Sequence, residues 1–102
     1  MTKREYEDKK KIESNIKAWI KALLSGKYTR GKRFLKRKVK GEIKYCCLGV
    51  AAELLKVEWD KEYGIDGACS LPDGSVAYLP YGLADEFGMD ADTQSKLADL
   101  ND

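Results

Sequence analysis

The chain has 102 residues, 43% hydrophobic and 35% charged, which is enough for one modest core in a single domain and too little for two. Its formal charge of +2 conceals a split: residues 1–44 carry 16 basic and 5 acidic side chains (+11), and residues 45–102 carry 3 basic and 12 acidic (−9). Histidine is absent, which excludes Ser-His and Cys-His catalytic pairs within one chain, and no apolar run approaches the ~18 residues of a membrane span.

The N-terminal stretch Thr2-Lys3-Arg4-Glu5 has the spacing of a capping box, which predicts a helix over about residues 4–25. Ile12, Ile16, Trp19, Ile20, Leu23 and Leu24 fall on one stripe of that helix, expected to face the core. Ser25-Gly26 supplies the stop, with glycine in the left-handed position past the helix end. Only Tyr6 and Ile12 have real hydrophobic weight in residues 1–12, so no secretory signal is expected and the protein should remain in the cytoplasm.

Residues 27–44 hold nine basic side chains, Lys27, Arg30, Lys32, Arg33, Lys36, Arg37, Lys38, Lys40 and Lys44, against the single acid Glu42. Phe34, Leu35, Val39, Ile43 and Tyr45 are interleaved, and Val39-Lys40-Gly41-Glu42 reads as a turn. A short hairpin of about residues 33–38 and 42–46 is expected. Two readings stand: a surface for phosphate backbone or an acidic protein groove, or an exposed edge hairpin kept soluble by its lysines.

Residues 43–55 form the longest run with few charges, so the core must gather around it. Pairs spaced by three and four among Cys46, Cys47, Val50, Ala51, Leu54 and Leu55 suit a short buried helix entered from a strand ending near Tyr45. Glycine at position 49 costs such a helix roughly 1 kcal/mol against alanine, so Gly49 marks a place where another backbone passes close. An odd cysteine count, with Cys46 beside Cys47, suits free thiols better than disulfides, and without histidine the ligand supply falls short of a zinc site. No metal and no cofactor are expected.

Tyr45-Cys46-Cys47-Leu48-Gly49-Val50 resembles the Y-C-C-L-G-V core of a group of small proteins encoded by tailed bacteriophages and prophages. Trp19, the run Ala22-Leu23-Leu24-Ser25-Gly26-Lys27-Tyr28, Leu79-Pro80, Gly82-Leu83, and Leu97, Leu100, Asn101 and Asp102 match in order, so the resemblance spans nearly the whole chain. Ala51 and Ala52 stand where the family has L-C, which removes its third cysteine, and many relatives run on past L-N-D into a further helix. The resemblance implies a phage accessory gene acting in the cytoplasm of a bacterial host, and it brings no catalytic residues with it. Proteins of that kind commonly disarm bacterial immunity, for example by plugging a nucleic-acid channel or sequestering a signal nucleotide.

After the central helix, Val57-Glu58-Trp59-Asp60-Lys61-Glu62-Tyr63-Gly64 reads as a loop or irregular strand. Trp59 and Tyr63 are either anchors for a partner or caps on the core. Leu71-Pro72-Asp73-Gly74-Ser75 has the residues of a type I turn and should join strands at 67–71 and 75–79. Pro80 opens a short helix through Leu83, Ala84 and Phe87 that Gly88 closes. Asp90 or Asp92 caps a last helix to about Leu100, with Thr93, Leu97 and Leu100 inward.

These elements make an α+β fold: an N-terminal amphipathic helix and a central helix packed on a small antiparallel sheet, with short C-terminal helices. An enzyme would have to work with carboxylates, lysines or a cysteine alone, and no Walker A, dinucleotide-binding or calcium-loop pattern is present. The expectation is therefore stoichiometric binding rather than catalysis. The partner is a host or defence-system protein or, alternatively, nucleic acid held by residues 27–44. The binding residues expected are Arg30, Lys32, Arg33, Lys36, Arg37, Lys38, Lys40, Trp59 and Tyr63.

Overall fold

A helix with a single charged residue has to be covered over most of its surface, and α2 (Cys47–Leu54), whose one charge is Glu53, is such a helix, burying Leu48, Gly49, Val50, Ala51 and Ala52 in succession. In the computed structural model, which describes residues 2–31, 34–60, 64 and 67–101, α1 (Lys3–Leu24) and α4 (Ala91–Asn101) pack against it, and β2 (Glu42–Tyr45) leads into its start. The architecture is the expected α+β. The Glu5 side chain of the expected capping box, Lys32, Arg33, Tyr63 and Asp102 lie outside what is described.

α1 is pinned at its middle and ends as its sequence dictates. Buried Trp19 donates from Nε1 to the Cys47 carbonyl at 2.9 Å and tilts against Phe87, ring centroids 5.4 Å apart. Asn15 donates to the Glu86 carbonyl at 2.8 Å, and Lys11 pairs with Glu86 at 3.4 Å. Ser25 caps the Ala22 carbonyl from Oγ at 2.7 Å, and Gly26 takes φ +73°. The apolar stripe is buried only in part: Ile12 and Ile16 are half-buried, whereas Ile20 (50% exposed), Leu23 (42%) and Leu24 (82%) face outward. The covered face is rotated from the expected stripe: half-buried Asn15 and Ala22 flank Trp19 on one side, while Ile20 and Leu24 lie about 100° and 140° round from Trp19 on the other.

The sheet has the order β2-β1-β3 and is antiparallel throughout, with β1 (Lys36–Val39) between β2 and β3 (Ala68–Cys69). Lys40 at φ +52° and Gly41 at φ +81° give the two-residue turn with two left-handed positions that matches strand twist. The hairpin is shorter than expected, since Cys46 leaves the strand to cap α2. The reading of its lysines as protection for an open edge fails for β1, whose Lys36 and Arg37 are paired on both sides. The outer edge of β2 is occupied at its last residue: Tyr45 donates to the Thr29 carbonyl at 2.9 Å and accepts from the Gly31 amide at 2.8 Å.

The turn at residues 71–75 forms, with Gly74 donating to Leu71 at 2.8 Å and Ser75 to the Asp73 carboxylate at 2.9 Å. The strand expected at 75–79 does not. Only its first residue pairs as expected, the Ser75 carbonyl accepting from Leu71 at 2.9 Å; beyond it the Val76 carbonyl accepts from Leu35, and the Gln94 side chain takes both polar groups of Leu79. Pro80 precedes α3 (Tyr81–Asp85), and Gly88 follows it at φ +66°. Asp90, not Asp92, caps α4, accepting from the Thr93 amide at 2.8 Å, a bond that holds its carboxyl below the ordinary carboxylate range. Thr93 and Leu100 point outward, Leu97 is half-buried, and the inward residue is Gln94.

Candidate functional site

Each residue of the Tyr45–Val50 motif has a structural task. Tyr45 ties β2 to residues 29–31, and Cys46 accepts from the Gly49 amide on Sγ at 3.4 Å as the cap of α2. The Cys47 carbonyl receives the Trp19 indole, while Leu48 and Val50 are buried. Gly49 lies directly under the Leu35 carbonyl, whose oxygen would collide with any Cβ there. The close backbone approach expected from Gly49 is thus present, between α2 and the segment entering β1.

Above this scaffold lies a strip of cations and rings. Lys36 faces Tyr45 on β2 and Cys69 on β3 in register, so the three share one face of the sheet. The Lys36 ammonium sits 5.7 Å from the Tyr45 ring centre and 5.3 Å from that of Trp59. Trp59 is itself fixed by a 2.7 Å bond from Nε1 to Glu53 on α2. On the other side of Tyr45 stands Tyr28, edge to face at 5.3 Å, with the Lys27 ammonium 5.8 Å from its centre. The order across the surface is Lys27, Tyr28, Tyr45, Lys36, Trp59.

The expected binding residues divide on this geometry. Lys36 and Trp59 belong to the strip, and exposed Lys38 projects from the same face of β1, two residues on. Arg37 points to the opposite face, 5.8 Å from the Phe34 ring. Lys40 is exposed in the turn, and Arg30 stands beside Tyr45 on the outer side of β2. Trp59 also packs against the core. Lys27, Tyr28 and Tyr45 were not among the expected site residues. Their signal is the repeated Lys-Tyr step at 27–28 and 44–45, which the bridge between residues 29–31 and β2 brings together.

A family model described as a domain of unknown function, DUF8296, matches residues 11–102. The chain belongs to the DUF8296 family. No curated protein and no solved structure matches it. The matched span of this DUF8296 chain contains the whole strip and all the elements that position it except the first turns of α1.

Electrostatically the DUF8296 strip is cationic, with its rings as supports. Burial pushes the Cys69 thiol up, and the positive charges of Lys36 and Lys38 oppose that shift. The thiol is therefore neutral near pH 7 and offers no nucleophile to the strip. Among the described residues no three His, Cys, Asp or Glu side chains converge as metal ligands would, and no helix is long and apolar enough to cross a membrane. What the arrangement can do is hold anionic groups against a stiff, partly apolar surface.

Proposed function

We propose that this DUF8296 protein is a phage accessory protein that works by stoichiometric binding, docking the Lys27-to-Trp59 strip on an acidic surface of a host defence protein. The observation that carries the reading is the placement of Lys36 over two rings on an interior strand, which presents a cation on a preorganised bed. The phage origin rests on the resemblance of the Tyr45–Val50 motif and its flanking matches. Single-stranded nucleic acid is the second reading, favoured by the interleaving of cations with aromatics. Stacking of bases needs open ring faces, and here Lys27 and Lys36 stand over the tyrosines while Trp59 packs on the core. That favours protein.

The test is phage plating on hosts that each carry one defence system, with wild type compared with the triple reversal Lys27→Glu, Lys38→Glu, Lys40→Glu at exposed positions. Protection that wild type confers and the reversal loses supports the strip as the contact. Equal protection by both removes it. A pull-down from host lysate with and without nuclease then separates the partners: a captured protein survives nuclease, whereas a nucleic-acid ligand does not and weakens linearly in log salt.

A further inference from the structure

Behind the strip, α1, β2 and α2 enclose a pocket of about 160 Å³ that the sequence does not announce. Buried Cys46 and Val50, half-buried Tyr28 and Tyr45, and exposed Leu23 and Arg30 line it. We infer that this pocket seats a single apolar side chain flanked by a carboxylate, so that the partner of the strip is an acidic protein segment carrying one leucine- or phenylalanine-sized anchor. The inference rests on the proposal that the strip docks on protein.

Size selects the ligand class first. An apolar cavity of about 150 Å³ accepts benzene, whereas sites for nucleotide-sized molecules start at about 300 Å³. The pocket therefore fits one ring or one branched aliphatic group and excludes a whole nucleotide. Lining chemistry selects next: Leu23, Val50, two cysteines and two ring surfaces favour an apolar group, and Arg30, which lines the pocket with them, sets where the polar atoms of the occupant must lie.

Charge selects last. Arg30 is the charged side chain that lines the pocket, while Lys27 and Lys36 lie outside the lining, at 5.8 Å from the Tyr28 ring centre and 5.7 Å from that of Tyr45. A carboxylate beside the anchor meets Arg30, and guanidinium against carboxylate is the stronger form of such a contact. Position is fixed by the backbone, because the neighbours of Arg30 on either side are hydrogen-bonded to Tyr45. An apolar anchor in a fixed pocket, ringed by polar contacts, is how the energetic centre of a protein interface is commonly built.

The probe is phenylacetate, which joins one ring to one carboxylate, compared with acetate in amide NMR titrations of the full chain. Phenylacetate should shift the Tyr45 and Val50 amides saturably while acetate leaves them in place. Arg30→Glu should weaken phenylacetate about tenfold or more with the spectrum otherwise folded, and Arg30→Gln, which removes charge without reversing it, should also lose affinity. No saturable shift, equal shifts with acetate, or unchanged affinity in both variants overturns the pocket. An acidic peptide with a central phenylalanine should then outbind its alanine twin. The two proposals fail separately: protection lost on the Lys27, Lys38, Lys40 reversal without phenylacetate binding keeps the docking strip and removes the pocket. Phenylacetate binding with protection unaffected by the reversal removes the strip.

Discussion

The side-chain amide of Gln94 brackets the backbone of Leu79, accepting from its N–H at 2.7 Å and donating to its carbonyl at 3.0 Å. Both residues are buried, so α4 supplies through one side chain the pairing that a neighbouring strand would otherwise provide.

Gln94→Leu fills similar volume and pairs neither group. It should cost about 1–3 kcal/mol for each of the buried Leu79 groups left unsatisfied. Urea melts give the comparison, with exposed Ser95→Ala as a control on the same helix. A midpoint equal to wild type would mean that water replaces the amide.

Gly49→Ala tests the approach of Leu35 to α2. Helix propensity alone would raise stability by about 1 kcal/mol. The added methyl collides with the Leu35 carbonyl, which belongs to backbone and also accepts from the Cys46 amide at 3.3 Å. The expected result is a net loss of about 1–3 kcal/mol or more, read as a lower urea midpoint.

Acid should loosen α4. The Asp90 carboxyl lies below its ordinary value because it accepts from Thr93, so the folded state binds its proton less readily than the unfolded chain does. Its contribution is complete above the unfolded value of about 3.9 and is lost as pH falls through the lower folded value. Asp90→Asn should keep much of the cap and flatten the acid limb of the melting temperature against pH. Asp73, lowered in the same way by Ser75, makes the same kind of contribution at the 71–75 turn, so some of the limb should remain.

The three cysteines should behave as free thiols of unequal access. Cys46 and Cys69 are buried and Cys47 is half-buried, so alkylation of the native protein should mark Cys47 first. Burial holds the Cys69 thiol protonated and slow. Mass spectrometry of the unreduced protein checks this, and a two-proton deficit or an added zinc mass would contradict it.

What could be read from the sequence was local or self-announcing. Ser25-Gly26 ends α1 through contacts within one turn, and Gly49 flags its neighbour because a glycine inside a helix needs a reason. Lys40-Gly41 turns the chain wherever the hairpin lies. What could not be read depended on distant partners. Residues 75–79 look like a strand until Gln94, fifteen residues after Leu79, takes its backbone. Ile20 and Leu24 look like core until the packed face of α1 turns out to centre on Asn15, Trp19 and Ala22 and leaves them outside. The strip was half legible: the basic residues stand out, but only the bridge from residues 29–31 to Tyr45 sets Tyr28 beside it.

The third strand of the sheet has a consequence for the order in which the chain assembles. β1 and β2 are joined by two residues and can pair in about 1–10 μs. β3 offers only Ala68 and Cys69, and it must wait for α2 and everything between to be gathered before it meets Lys36 and Arg37. Gly67, at φ +78°, then brings its backbone hard against the Lys38 carbonyl, an approach no side chain would permit. β3 should therefore dock after the β1–β2 hairpin in refolding, and in native hydrogen exchange its amides should open before those shared by β1 and β2. The lysine face thus depends, for its three-strand backing, on a two-residue strand that should be the first of the sheet to open.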